Sequence, residues 1–93
     1  MPLSFEWDPQ KAAHNKRKHD VSFAEAATVF GDVLSLTIPD PLHSLDEERQ
    51  IILGQSVKQR LLVVVHVEKG DVIRLISARP ATSHERKVYE EEL

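Results

Sequence analysis

Cysteine is absent from these 93 residues, and there are only three glycines, one tryptophan and one tyrosine. Without cysteine there are no disulfides and no thiolate metal sites, which suits a reducing cytosol. Three scattered glycines supply no Gly-rich phosphate loop. No apolar run approaches the roughly 20 residues that a membrane helix needs. The opening MPLSFEWDPQKAAHNKRKHD lacks the apolar core of a leader peptide. The expectation is a soluble cytoplasmic protein without a membrane partner. A GxSxG elbow and an HExxH pair are also missing, so a serine hydrolase and a zinc peptidase have no support. His14 and His19 are five positions apart, about 140° around a helix, a poor chelating pair. No metal or other cofactor is expected.

A chain of this length holds one modest core, so residues 1–93 should form a single domain. The net charge of −3 argues against coating nucleic acid by bulk electrostatics. Its distribution is uneven. Residues 11–19 carry Lys11, Lys16, Arg17 and Lys18 with His14 and His19 and no acid, whereas Glu90, Glu91 and Glu92 crowd the other end. A focused basic cleft can sit inside an acidic protein, although a solvated helix face is the commoner fate of such a run.

Asp8-Pro9 is a helix start, with Asp as N-cap and Pro pre-set for the first turn, and the helix should reach about Lys18. Phe5 and Trp7 should anchor the chain ahead of it. Ser22 and Glu25 form a capping box before an apolar stripe of Phe23, Ala26, Ala27 and Phe30, which predicts a second helix ending near Gly31. Strands are expected over 34–38, 49–56, 60–68 and 71–78, joined mostly by short turns and therefore antiparallel. The LLVVV run should be central and covered on both faces. Thr82 and Glu85 suggest a capping box for a last helix from Ser83 to about Glu91. The predicted order is ααββββα: an α+β domain with helices on a curved, four-stranded antiparallel sheet.

Cations and hydroxyls dominate the candidate chemistry. Strict alternation puts Ile73, Leu75, Ser77 and Arg79 on one face of the last strand, and Val72, Arg74, Ile76 and Ala78 on the other. Arg79 precedes Pro80 and is held extended, which suits a phosphate clamp; pairing with a carboxylate at the sheet end is the alternative, and the more frequent one. Arg86 and Tyr89 share a helix face. Tyr89 can stack a base or simply pack, and Arg86 can meet a phosphate. Lys11, His14 and Lys18 lie on one broad face of the first helix, and His14 or His19 can exchange protons near neutral pH. His43 and the Glu48-Arg49 pair present the same choice between site and surface. His66, inside LLVVVHV, reads as a satisfied core or interface histidine.

The stretches FEWDPQKAAHNKRKHDVSFAEAATVFGD (5–32), PDPLHSLDEERQIILGQS (39–56) and RLLVVVHVEKGDVIRLISARPATSHERKVYEE (60–91) resemble the BrnT toxins of bacterial type II toxin–antitoxin systems. The carrying features are FEWDP, RKH followed by VSF and EAATVF, the DP-x-HS loop, and ISAR-x-A with ER and Y. The resemblance implies a RelE-like fold, ribonuclease activity, and neutralisation by a BrnA-like antitoxin with a ribbon-helix-helix DNA-binding domain. It also implies a toxin–antitoxin heterotetramer that meets DNA only through the antitoxin. On this reading Lys18, His19 and Arg79 are the catalytic candidates, and Lys11, Glu48, Arg74, Arg86 and Tyr89 the RNA-binding ones. Metal-free cleavage would leave a 2′,3′-cyclic phosphate and inhibit translation. A catalytically weak module that holds the antitoxin and tunes repression of a shared operon is the alternative function.

Overall fold

The computed structural model describes residues 3–44 and 47–91, without the His43 side chain. The chain runs β1 (Ser4–Glu6), α1 (Pro9–His19), α2 (Phe23–Thr28), β2 (Leu36–Pro39), β3 (Gln50–Gln55), β4 (Leu61–Lys69), β5 (Val72–Pro80) and α3 (Ser83–Glu91), with short 3-10 turns at Val29–Gly31 and Pro41–His43. The five strands form one mixed sheet in the order β1-β5-β4-β3-β2. Among the described residues no helix is long and apolar enough to cross a membrane.

This corrects the expected four-stranded antiparallel sheet. Ser4–Glu6 pairs in parallel with Val72–Arg74 of β5, adding a fifth strand and the sheet's one parallel pairing among the described residues. Three residues are too few to show a period of two, and a parallel partner lies at the far end of the chain, beyond the reach of hairpin logic. Phe5 and Trp7 do anchor this segment. The Phe5 ring lies 5.3 Å from Phe30, and Trp7 meets the edge of Phe23 at 5.9 Å.

The helix ends follow the expected chemistry with one exception. Asp8 accepts from the Gln10 and Lys11 amides, and Asp20 closes α1 in the left-handed conformation (φ 56°) that glycine would adopt more easily. The α3 box is complete: Thr82 Oγ1 accepts from Glu85 N, and Glu85 Oε1 accepts from Thr82 N. In α2, Ser22 accepts from Glu25 N, but the Glu25 carboxylate leaves the helix end. It accepts instead from Ser56 Oγ at 2.7 Å and from Arg60 Nε at 2.9 Å.

Two apolar layers sandwich the sheet. On one side α1 and α2 cover Val21, Phe23, Ala26, Val29, Ile52, Leu62, Val64, Ile73, Leu75 and Ala78. On the other, Tyr89 of α3 packs on Leu53, Leu61 and Val63. β4 contributes to both layers, which is why LLVVV carries no alternation. Gly54 of β3 is required by close packing, since a Cβ there would stand 2.8 Å from Val29 Cγ1.

A β-bulge changes the facing of β5. Val65 pairs with Ser77 and His66 with Leu75, leaving Ile76 as the extra residue. Ile73, Leu75 and Ala78 therefore share the α1/α2 core, which strict alternation forbids. Arg74, lying between Ile73 and Leu75, points away from that core. So does Arg79, which pairs directly with Val63 of the α3-side layer. The expectation that Arg74 and Arg79 occupy opposite faces is overturned by that one extra residue.

Beyond Arg74, β5 has no β1 partner, and α1 takes over. The buried Asn15 amide donates to Ala78 O (2.8 Å) and to Val21 O (3.0 Å), and its Oδ1 accepts from Ala78 N (3.0 Å). Asn15→Ala would leave three buried backbone groups unsatisfied, and the expected cost is about 2–4 kcal/mol. A thermal melt should show a drop of roughly 10 °C or more for a domain of this size; an unchanged melting temperature would remove Asn15 from this role.

Candidate functional site

Two clefts meet at the bulge. The first, of about 370 Å³, lies between α1 and β5 and is lined by Asp8, Gln10, Lys11, His14, Asn15, Lys18, His19, Ile76 and Ser77. The second, of about 310 Å³, opens on the α3 side and is lined by Asp40, Arg49, Ile51, Val63, Val65, Ile76, Ser77 and Arg79. Ile76 and Ser77 border both. Capping at Asp8 and the turn of α1 bring Lys11, His14 and Lys18 round to one flank, with His19 at its end. The strand ends bring Arg49 and Arg79 to the other. The outcome is a rim of four cationic side chains and two imidazoles around a bulged strand, in a chain of net charge −3.

The candidate residues separate in this frame. Lys11, Lys18 and His19 line the first cleft, and Arg79 the second. Arg74 points to the same sheet face as Arg79, and its guanidinium pairs with Glu47. Glu48 and Arg86 are exposed and line neither cleft. Tyr89 is a correction: its ring is 8% exposed within the α3-side core and its hydroxyl donates to Asp32 Oδ2 at 2.6 Å, so it packs and cannot stack a base. The bond to Asp32, with burial second, pushes the Tyr89 hydroxyl up to about 12. Burial drives the Asp32 carboxyl upward, but hydrogen bonds from Tyr89, Gln55 N and Leu34 N together hold it below its ordinary value. His66 is core, as expected: it is 1% exposed, stands edge-on to Phe30, and burial lowers its pKa. The His43 side chain lies outside those described.

Arg79 takes the carboxylate pairing and also borders a cleft. Its Nη1 and Nη2 donate to Glu85 Oε1 and Oε2, each at 2.8 Å, the carboxylate pairing weighed as the alternative. Arg79 also lines the second cleft. The hydrogen bond from Arg79, opposed by burial and aided by the Thr82 amide, holds the Glu85 carboxyl down at about 2.

Arg49, which the sequence leaves open between site and surface, lines the second cleft. It sits just ahead of β3 and reaches the second cleft because its carbonyl is tied to Asp40 N at 2.9 Å, which folds the 40–49 segment back on itself. Its Nε is buried without a hydrogen-bond partner among the described residues. No sequence signal marks this, because the placement depends on a loop return and not on periodicity. Among the described residues no three His, Cys, Asp or Glu side chains converge on a possible metal position.

The family model described as "Ribonuclease toxin, BrnT, of type II toxin-antitoxin system" matches residues 7–85. Among solved structures, the crystal structure of the Brucella abortus ribonuclease toxin BrnT matches with a TM-score of 0.68 at 21% identity, covering 87% of this chain and 99% of that one. At that identity the likeness is one of fold. No curated protein matches the chain.

The Arg79–Glu85 pair has a pH signature. The Glu85 pKa falls from 4.5 to about 2 on folding, so its stabilisation is complete above about pH 4.5 and is lost as pH drops toward 2. Urea midpoints measured across that window should fall more steeply for the parent than for Glu85→Gln. Parallel curves would mean that the pair contributes nothing to stability.

Proposed function

The chain belongs to the BrnT family of ribonuclease toxins of type II toxin–antitoxin systems, and from that premise we propose that it is an endoribonuclease that cuts RNA without a metal ion. The observation that carries this is the meeting of Lys11, Lys18, His14 and His19 with Arg49 and Arg79 around Ile76 and Ser77. Transesterification of RNA needs a base for the 2′-OH, positive charge on the pentavalent phosphorane, and an acid for the departing 5′-oxygen. His19, an imidazole at the end of α1, takes the 2′-OH proton, and His14 or Lys18 is placed along the same flank to return one. Lys11 and Lys18 hold the phosphate from the α1 side. Arg79 and Arg49 neutralise the phosphorane from the sheet side. No step draws on a bound ion, and the product is a 2′,3′-cyclic phosphate.

The toxin's partner on this reading is a BrnA-like antitoxin with a ribbon-helix-helix domain, in a heterotetramer that contacts DNA only through the antitoxin. RNA cleavage in the cytoplasm would inhibit translation. The rival function, a weak nuclease kept mainly to hold the antitoxin, draws support from the exposure of Ile38 and Val88, which line one groove with Leu36 and Leu53, an apolar surface a protein partner would cover.

The deciding assay incubates purified protein with a defined RNA in EDTA and maps the product ends. Cyclic phosphates from the parent, with activity reduced about 10²–10⁴-fold in His19→Ala and about 10²–10³-fold in Arg79→Ala, are expected. Because Arg79 also anchors Glu85, Arg79→Ala should lower the melting temperature slightly, so folding is checked alongside. A folded parent that cuts neither free nor ribosome-bound RNA would leave the binding module as the function.

A further inference from the structure

Arg79 is held in a way that divides its donors. A guanidinium carries five N–H groups in a plane. Among the described residues three are committed: one on Nη1 and one on Nη2 to the two oxygens of Glu85, and the second on Nη1 to Pro80 O at 3.3 Å. The two that remain are Nε–H and the outer N–H of Nη2. In a planar guanidinium these two point the same way and form the side-on fork, which matches two oxygens of a phosphate as well as the end-on fork does. The Arg79 side chain is 41% exposed, so it is open to a ligand from solvent.

Glu85 is itself fixed. Its Oε1 also accepts from Thr82 N at 2.8 Å, which ties the carboxylate to the start of α3. The α3 helix is in turn pinned to the domain by Tyr89, whose ring is in the core and whose hydroxyl is on Asp32. The guanidinium is thus clamped along one edge by a carboxylate that cannot follow it elsewhere. An arginine left free would spend rotamer entropy on each phosphate it met.

We infer that Glu85 is a positioning residue for the proposed cleavage: by occupying the end-on edge of Arg79 it presents Nε–H and Nη2–H as a preformed fork for the RNA phosphate at the second cleft. This rests on the ribonuclease reading for its substrate, but the fork itself is a property of the pair. The consequence runs against simple charge counting. Removing a carboxylate next to a phosphate site normally strengthens anion binding, whereas here its removal should weaken it, because Arg79 is no longer aimed.

The test follows the Arg79 side-chain resonances of 15N-labelled protein during titration with inorganic phosphate, in the parent, Glu85→Gln and Glu85→Ala. The expected result is a phosphate-dependent shift at Arg79 Nε–H in the parent, at least tenfold weaker in Glu85→Ala and intermediate in Glu85→Gln. Cleavage is measured in parallel as a double-mutant cycle. Glu85→Ala should lower kcat about ten- to a hundredfold, and should have no further effect once Arg79 is alanine. A loss that persists in the Arg79→Ala background would instead assign Glu85 a purely structural part at the α3 cap, which overturns the inference. So would phosphate binding or kcat that is unchanged or improved in Glu85→Ala. If the parent binds phosphate through Nε–H in a Glu85-dependent way but cuts no RNA, the fork stands and the ribonuclease reading falls.

Discussion

The side-chain amide of Asn15 is the hinge of this architecture. The β5 strand is shielded on its outer edge by β1 only as far as Arg74. Past that point its backbone would be an open edge beside a buried core, where an unpaired N–H or C=O is costly. Asn15 answers this as a one-residue strand would, giving an N–H to Ala78 O and taking the Ala78 N–H, while its second amide hydrogen holds the Val21 carbonyl that follows α1. That geometry fixes how far α1 stands from β5. Because Lys11, His14, Lys18 and His19 ride on the same helix, it also fixes the width of the first cleft.

The opposite end of the domain is secured by different means. Glu25 is almost fully buried and accepts hydrogen bonds from Arg60 and Ser56, which locks α2 to the turn between β3 and β4. The bond from Arg60 is strong enough, against the cost of burial, to keep the carboxyl below its ordinary pKa. Removing either partner alone would strand a charge, which is what makes such pairs specify an arrangement even where they add little net stability. The α3 helix is fastened more lightly, by the Tyr89 ring, the Tyr89–Asp32 bond and the Glu85–Arg79 pair. Most of the cleft residues therefore sit on α1 and the sheet, with Arg49 just ahead of β3, and α3 acts on them from outside.

What the sequence disclosed was whatever rests on local chemistry. Asp8-Pro9, Ser22 and the Thr82/Glu85 box announce helix starts because capping involves neighbours three residues apart. The LLVVV run identifies a doubly covered strand because burial on both faces suppresses alternation. The sequence hid whatever depends on one extra residue or on distant pairing. Ser4–Glu6 is too short to show a period. Ile76 looks like any other strand residue, yet as the bulge it turns Arg79 onto the face of Arg74 and lets Ser77 border both clefts. Tyr89 stayed open for another reason: a tyrosine on an amphipathic helix reads identically whether it stacks on a ligand or on its own core. Glu25 filled the third position of a capping box and was drawn away by an arginine 35 residues on.

An acidic protein acting on RNA must gather its positive charge locally. Lys11, Lys18, Arg49 and Arg79 at the two clefts face Asp8, Asp40 and, on Arg79, Glu85. The local balance is only slightly positive, and the whole chain carries −3. Beyond a Debye length of about 10 Å at 0.1 M salt such a site exerts little attraction, so long-range steering is not its means of capture. On the proposed reading its attraction is strong only at contact, where directed N–H groups would meet phosphate oxygens. A site of this kind depends on aim more than on charge. The bulge at Ile76 aims the strand, Asn15 aims the helix, and Glu85 aims Arg79.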